Sequence, residues 1–239
     1  MNFGIIAAGE GSRLVQEGVS LPKPLVEIDG KPMIGRLISI FEDLGAGCVS
    51  VIVNEHMTEV ADYLRNLAPS LGCRLELVVK TTPSSMHSFY ELGSLLRDHD
   101  RFVLTTVDTI FREPDFRKYV EAFAAASPDI DGMMAVTQHI DDEKPLYVET
   151  DPSMNITAFR DKSWPGAKFI SGGIYGLDSK AIDVLDRCLE QGVSRMRNFQ
   201  RALVAEGLRL KAHDMGKIID VDHAGDIEKA EKFIGSGAE

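Results

Sequence analysis

The sequence predicts an α/β fold, a mixed sheet that is mainly parallel with antiparallel additions and carries helices on both faces. Three observations lead there. Short β-branched runs alternate with amphipathic helical stretches over the first half of the chain. The apolar runs, such as Gly4–Ala8 and Val49–Val53, have the length of strands. From residue 132 onward four strand-like segments follow one another without helices between them, as antiparallel strands added to a parallel sheet would.

Taken in order, Asn2–Ala7 is a buried first strand that ends in a glycine-rich turn. Met33–Leu44 places Ile34, Leu37, Ile38, Phe41 and Leu44 at helical spacing, and Gly45 and Gly47 stop it. Cys48–Val53 is the second buried strand, and His56–Leu67 is a helix ended near Pro69. Arg74–Lys80 alternates charged and apolar residues, the pattern of a half-exposed strand. Ser85–Leu96 is helical, and Arg101–Thr106 is a buried strand that delivers Asp108 at its carboxyl end. A helix over Pro114–Ala126 precedes strands at Gly132–Gln138, Tyr147–Thr150, Asn155–Arg160 and Phe169–Leu177. Helices Ser179–Glu190 and Met196–Glu206, short strands near Arg209–His213 and Ile218–Val221, and a helix Ala224–Phe233 complete the pattern. The Gly-Ser-Gly-Ala-Glu tail is expected to fray. With no repeat and no linker rich in Pro, Gly or Ser, one domain is expected over residues 1–239.

Composition narrows the function. The 239 residues are 44% hydrophobic and 26% charged, which excludes a disordered or fibrous chain. The formal net charge of −11 leaves no electrostatic footprint for nucleic acid or anionic lipid. A phosphate ligand must then be met by a local cationic pocket, since the overall field opposes it. No run approaches the roughly 20 apolar residues of a transmembrane helix, and the first residues enter a strand without a basic leader. Cys48, Cys73 and Cys188 are odd in number and widely spaced. They are expected to be reduced core thiols of a cytoplasmic protein. The six histidines show no metal-ligand spacing, and no GxSxG elbow is present. Nothing in the sequence bears on oligomeric state.

The most informative segment is Gly4–Ile5–Ile6–Ala7–Ala8–Gly9–Glu10–Gly11–Ser12–Arg13, followed by Leu21–Pro22–Lys23–Pro24–Leu25. Small residues at Ala7, Ala8, Gly9 and Gly11 let the backbone approach a ligand and aim N–H groups at anionic oxygens. Arg13 and Lys23 supply fixed positive charge. A polyphosphate needs it: two unit charges 4 Å apart repel by about 4 kcal/mol at an effective dielectric of 20. The P-loop pattern fails, because Glu10 follows Gly9 where a lysine belongs. The dinucleotide fingerprint fits at Gly9 and Gly11 but meets Leu14 in place of its third glycine. That fingerprint also opens directly into a helix, whereas here a helix is not expected before the Pro-Lys-Pro segment, which itself cannot be an early helical turn.

The loop and the Pro-Lys-Pro-Leu segment together resemble the "AAGxGxR … PKPL" signature of the nucleotidyltransferases that join a nucleoside triphosphate to a sugar 1-phosphate or similar phosphate. The resemblance implies a glycosyltransferase-A-like Rossmann-type fold, a nucleoside triphosphate and a small phosphorylated acceptor as substrates, and Mg²⁺. It places Ala7, Ala8, Gly9, Gly11 and Ser12 at the nucleotide and Arg13 and Lys23 in catalysis. Asp108 sits where a parallel strand ends, on the edge where open α/β sheets bind ligands, and a carboxylate there suits Mg²⁺. The family carries a metal-binding aspartate at this point, usually after glycine, where this chain has Val107. Asp220 and Asp222, two apart, would share a strand face. The family matches either position, and the Asp222–Asp226 spacing favours Asp222. Asp226 is expected to be a first-turn helix charge.

On the acceptor side, Phe159–Arg160–Asp161–Lys162 and Ser171–Gly172–Gly173–Ile174–Tyr175 resemble the "EKP … GIY" segment. The resemblance assigns Lys162 to the acceptor phosphate and the Gly172–Gly173 backbone to its wall. Thr81–Leu92 departs from the glycine-rich segment of sugar-nucleotide members. Its hydroxyls, with Ser88–Phe89–Tyr90, look more like the cytidylyltransferases of choline phosphate. Ser85 and Ser88 are expected either to bond ligand or to cap the following helix. The alternatives left open are a choline-phosphate-type cytidylyltransferase, a molybdenum-cofactor nucleotidyltransferase, an NAD-dependent oxidoreductase and a silent nucleotide-binding module. Lys23→Ala and Asp108→Asn are expected to cut turnover with the melting temperature nearly unchanged.

Overall fold

The first strand, β1 (Asn2–Ala7), is buried along nearly its whole length because it pairs in parallel on both sides. The computed structural model describes residues 1–140 and 144–235. After β1 come a five-residue helix α1 (Ser12–Gln16), a 3₁₀ turn over Lys23–Leu25, and a hairpin β2 (Glu27–Ile28) and β3 (Lys31–Pro32). Next are α2 (Met33–Asp43), β4 (Cys48–Val53), α3 (Thr58–Leu67), β5 (Arg74–Val79), α4 (Ser85–Leu96) and β6 (Arg101–Thr106). Then follow β7 (Thr109–Ile110), α5 (Glu113–Ala124), β8 (Gly132–Thr137), β9 (Tyr147–Thr150), β10 (Ile156–Arg160) and β11 (Phe169–Asp178). The last elements are α6 (Lys180–Glu190), α7 (Met196–Ala205), β12 (Leu210–Asp214), β13 (Ile219–Asp220) and α8 (Ala224–Gly235). The tail expected to fray lies, beyond Gly235, outside the described residues.

The parallel block runs β5-β4-β1-β6, and β11 joins β6 antiparallel. β8 runs along one edge of β11, while β6 (against Ile174–Asp178) and β9 (against Phe169–Ile170) follow one another along the opposite edge, so the sheet forks; β12 adds to β8 in parallel and β10 to β9 antiparallel. The chain leaves β1 toward β4 on one side and returns as β6 on the other. The carboxyl end of β1 is therefore a topological switch point, where open sheets bind ligands.

Side chains alternate across the sheet into two cores. Phe3, Ile5 and Ala7 enter the layer under α2, α3, α5 and α8, where Phe3, Phe41, Phe111, Phe116 and Tyr119 stack in series. Ile6, Ala8, Phe102 and Leu104 face the other layer, closed by α4, α6 and α7. Two expectations fail near the amino terminus. The glycine loop does open into a helix, α1, held by buried Leu14 and a Val15 N–H to Gly11 carbonyl bond. Lys23–Pro24–Leu25 does form a helical turn, of the 3₁₀ kind, because proline is tolerated in a first turn where no N–H is needed. Among the described residues no helix is long and apolar enough to cross a membrane. Cys48 and Cys188 are buried and Cys73 half-buried, all as free thiols.

Candidate active site

At the switch point lies a cleft of about 600 Å³, whose floor is the Ala8–Arg13 loop, Lys23 and Thr106–Asp108. The loop is shaped by Gly11, which has φ +62°; a Cβ there would stand 2.8 Å from the Lys23 Cβ. Only glycine admits both the left-handed turn and that approach. Lys23, with 9% of its side chain exposed, is thereby pressed toward two carboxylates. Its ammonium donates to Asp108 Oδ2 at 2.5 Å and to Asp222 Oδ1 at 2.7 Å, and Arg13 reaches Asp222 Oδ2 at 3.1 Å.

Four sets of contacts bring these distant residues together. The two-residue strands β7 and β13 pair, setting Thr109 opposite Asp220 and Ile110 opposite Ile219. Val221 N–H donates to the Asp108 carbonyl at 3.1 Å. The Asp226 carboxylate accepts the N–H groups of His223 (2.9 Å) and Asp222 (3.3 Å), a stronger role than the helix charge expected of it. Glu17, just past α1, accepts from the His223 ring at 2.7 Å and from Ala224 N–H at 2.6 Å, joining the glycine loop to the Asp222 segment.

Electrostatics follow from this packing. Burial alone would push the Asp108 carboxyl up, but the Lys23 ammonium outweighs it and holds it below the usual carboxylate range. For Lys23 burial works against the charge, and the two carboxylates outweigh it, holding the ammonium above its usual range. Asp108 and Asp222 thus converge on one cation, here an ammonium. Among the described residues no three His, Cys, Asp or Glu side chains cluster as a metal cage. Two convergent carboxylates beside the glycine loop suit Mg²⁺, which takes one or two protein carboxylates and completes its octahedron with phosphate and water oxygens.

Most of the residues expected at the nucleotide meet in the cleft: Ala8, Gly9, Gly11, Ser12 and Ser85 line it with Arg13 and Lys23. Ala7 does not; its side chain packs into the core under α2. Ser85 opens α4 and borders the cleft, while the Ser84 hydroxyl pairs with His87 and Ser88 is taken up by Thr82. A second hollow of about 380 Å³ begins at Asp108, Asp220 and Asp222 and runs past Gly173 and Tyr175 to Arg195 and Gln200. Gly173, at φ +72°, would carry a Cβ 2.7 Å from the Thr109 hydroxyl. Gly172 faces a smaller neighbouring hollow that also borders Asp220 and Asp222. Lys162 lines neither hollow that holds Asp108; it sits with Tyr147 and Asp161 in an adjoining groove that shares Lys144 and Arg197 with the second hollow. Arg197 and Arg201 each hold Asp161 at 2.7 Å.

Asn54 was not foreseen. It is 3% exposed, donates to the Ala8 carbonyl at 3.2 Å and accepts from Thr81 and the His56 N–H, each at 3.0 Å. The available signal was its place as the polar residue directly after the apolar run Cys48–Val53, as Asp108 follows β6.

Known proteins resemble this chain in sequence and in fold. The chain is similar to the bifunctional protein GlmU of Methanocaldococcus jannaschii, 26% identical over 243 residues covering 98% of this chain and 54% of that protein. It is similar to a mannose-1-phosphate guanyltransferase of Schizosaccharomyces pombe, 26% identical over 76% of this chain and 51% of that one. The chain spans about half the length of these two relatives. The inositol-1-phosphate CTP transferase from T. maritima superposes with a TM-score of 0.79 over 98% of this chain and 97% of that one; at 16% identity it attests the fold. The sequence profile of the family described as nucleotidyl transferase matches residues 4–234, from the first strand through the last helix. That span takes in the glycine loop, Lys23 and both carboxylates, and the chain belongs to the nucleotidyl transferase family.

Proposed function

We propose that the chain transfers a nucleoside monophosphate from a nucleoside triphosphate to the phosphate of a small acceptor of the sugar 1-phosphate type, with release of pyrophosphate. The observation that carries this is the Lys23 ammonium bracketed by Asp108 and Asp222 beneath the glycine loop. An acceptor phosphate oxygen attacks the α-phosphorus; the new P–O bond forms as the bond to the bridging oxygen of pyrophosphate breaks. The attacking group is already an anion, so the protein need supply no general base. Its work is positioning and charge neutralisation.

In this reading the Ala8–Gly11 backbone and Ser12 cradle the triphosphate, Ser85 borders it, and Arg13 and Lys23 offset the charge that gathers on the leaving pyrophosphate. Asp108 and Asp222 hold Mg²⁺, with Asp220 nearby; the ion would screen the phosphate oxygens from one another. Gly173 forms part of the wall of the second hollow, from which the acceptor enters. Lys162 approaches the acceptor along the groove that shares Lys144 and Arg197 with the second hollow. All of this lies in a single domain. The test is a panel of the four common triphosphates crossed with sugar 1-phosphates, inositol 1-phosphate and choline phosphate, with pyrophosphate release as the readout. Release that needs both substrates and stops with EDTA supports the reading. Absence of release with every pair, or a nicotinamide absorbance change, contradicts it.

A further inference from the structure

Gln200 stands where an apolar residue belongs. Helix α7 buries Met196, Phe199 and Leu203 along one stripe, and Gln200 lies in the same stripe at 2% exposure. Its carboxamide is oriented. The Ser171 hydroxyl donates to Oε1 at 2.9 Å, which leaves the amide nitrogen directed elsewhere. Among the described residues Nε2 donates to none, and Gln200 lines the hollow that starts at Asp108 and Asp222. The nitrogen is not sealed in the core; it opens on that hollow, where it can donate to whatever occupies it. Leucine or methionine would fill the same place in the stripe, but neither would present an oriented donor to the hollow.

We propose that Gln200 is a specificity-determining residue that reads the acceptor, its Nε2 donating to a hydroxyl or ring oxygen on the acceptor body while the acceptor phosphate faces Asp108. This rests on the transfer reading above. The acceptor class it selects is polyhydroxylated, a sugar or cyclitol phosphate. An amino-alcohol phosphate fits poorly on two counts. A trimethylammonium group brings no oxygen to Nε2, and it would lie against Arg195, which lines the same hollow and makes no ion pair among the described residues. Sites built to bond a substrate hydroxyl discriminate strongly against analogues lacking it, because the protein group is then left unpaired.

The experiment compares wild type, Gln200→Leu and Ser171→Ala with the best acceptor of the panel and its monodeoxy analogues, reading pyrophosphate release, calorimetric acceptor binding and melting temperature. In wild type one deoxy analogue should lose about tenfold or more in kcat/KM. Gln200→Leu should raise the acceptor KM by about tenfold, leave the triphosphate KM unchanged, keep its melting temperature and use parent and analogue equally well. Ser171→Ala, which frees the amide to rotate, should show the same loss of discrimination at smaller size, and it serves if the leucine variant does not fold. Equal discrimination in wild type and both variants, or choline phosphate as the preferred acceptor, overturns the proposal and leaves the transfer reading standing. A wild-type protein that releases no pyrophosphate and binds none of the acceptors overturns both.

Discussion

Lys23 sets one positive charge against two carboxylates, 2.5 Å from Asp108 and 2.7 Å from Asp222. The sequence suggested that Lys23→Ala would cost activity and spare stability. The packing says otherwise, because removing the ammonium leaves Asp108 and Asp222 facing each other without compensation. Turnover should fall by at least about a hundredfold, and stability by about 1–2 kcal/mol, less than for a fully buried pair because Asp222 is 45% exposed. Thermal melts with and without Mg²⁺ check this, the ion restoring part of the lost stability. Asp108→Asn should lose comparable activity with a smaller stability change, since the Lys23 ammonium keeps Asp222 as its partner. Gly11→Ala should destabilise by about 1–2 kcal/mol in urea titrations, from the left-handed backbone and the clash with Lys23. Arg13, Lys23 and Asp108 were legible because each sits beside a local cue, a glycine loop, a Pro-Lys-Pro turn or a strand end. Asn54 and Gln200 were not, since their partners, Thr81 and Ser171, lie far along the chain.

Long elements betray themselves by period, short ones do not. Helix α4 and strand β6 fall at the residues the pattern predicts, Ser85–Leu96 and Arg101–Thr106. In the ribbon that joins the Asp108 and Asp222 segments, β13 falls within the strand expected near Ile218–Val221, while β7, two residues long, has no period to detect. The hairpin β2–β3 escaped for the same reason, although Asp29 and Gly30 at its turn both take positive φ, the usual chemistry of a tight hairpin. Farther from the site, Asp131 ties three elements, accepting from Lys180 of α6 at 2.5 Å and from the Arg209 N–H before β12 at 2.7 Å, at the start of β8. Burial pushes its carboxyl up, and the bonds from Lys180 and Arg209 more than reverse that, leaving it below the usual range. A depressed carboxyl contributes stability that is whole above the ordinary carboxylate pKa and is lost as pH falls through the folded value. Asp131→Asn should therefore destabilise by about 1 kcal/mol at neutral pH, and the gap to wild type should close below about pH 4 in denaturant titrations.

The whole molecule is acidic, with net charge −11, while the cleft gathers Arg13 and Lys23 beside its carboxylates. Local charge must therefore overcome the global field. Two cores, one on each face of the forked sheet, hold the switch point rigid. Phe116→Ala, in the aromatic stack, should cost about 3–5 kcal/mol in chemical denaturation and leave the activity of the folded fraction intact. The fork at β11 could not be read from the chain, since it depends on two strands, β6 and β9, dividing one edge of β11 between them. The most direct measurement is a crystal structure with nucleoside triphosphate and Mg²⁺ bound. It should show the Lys23 ammonium moved off Asp108 and Asp222 onto phosphate oxygens, Arg13 released from Asp222 toward the same group, and the ion between the two carboxylates. A triphosphate bound elsewhere, with Lys23 still seated between Asp108 and Asp222, would contradict it.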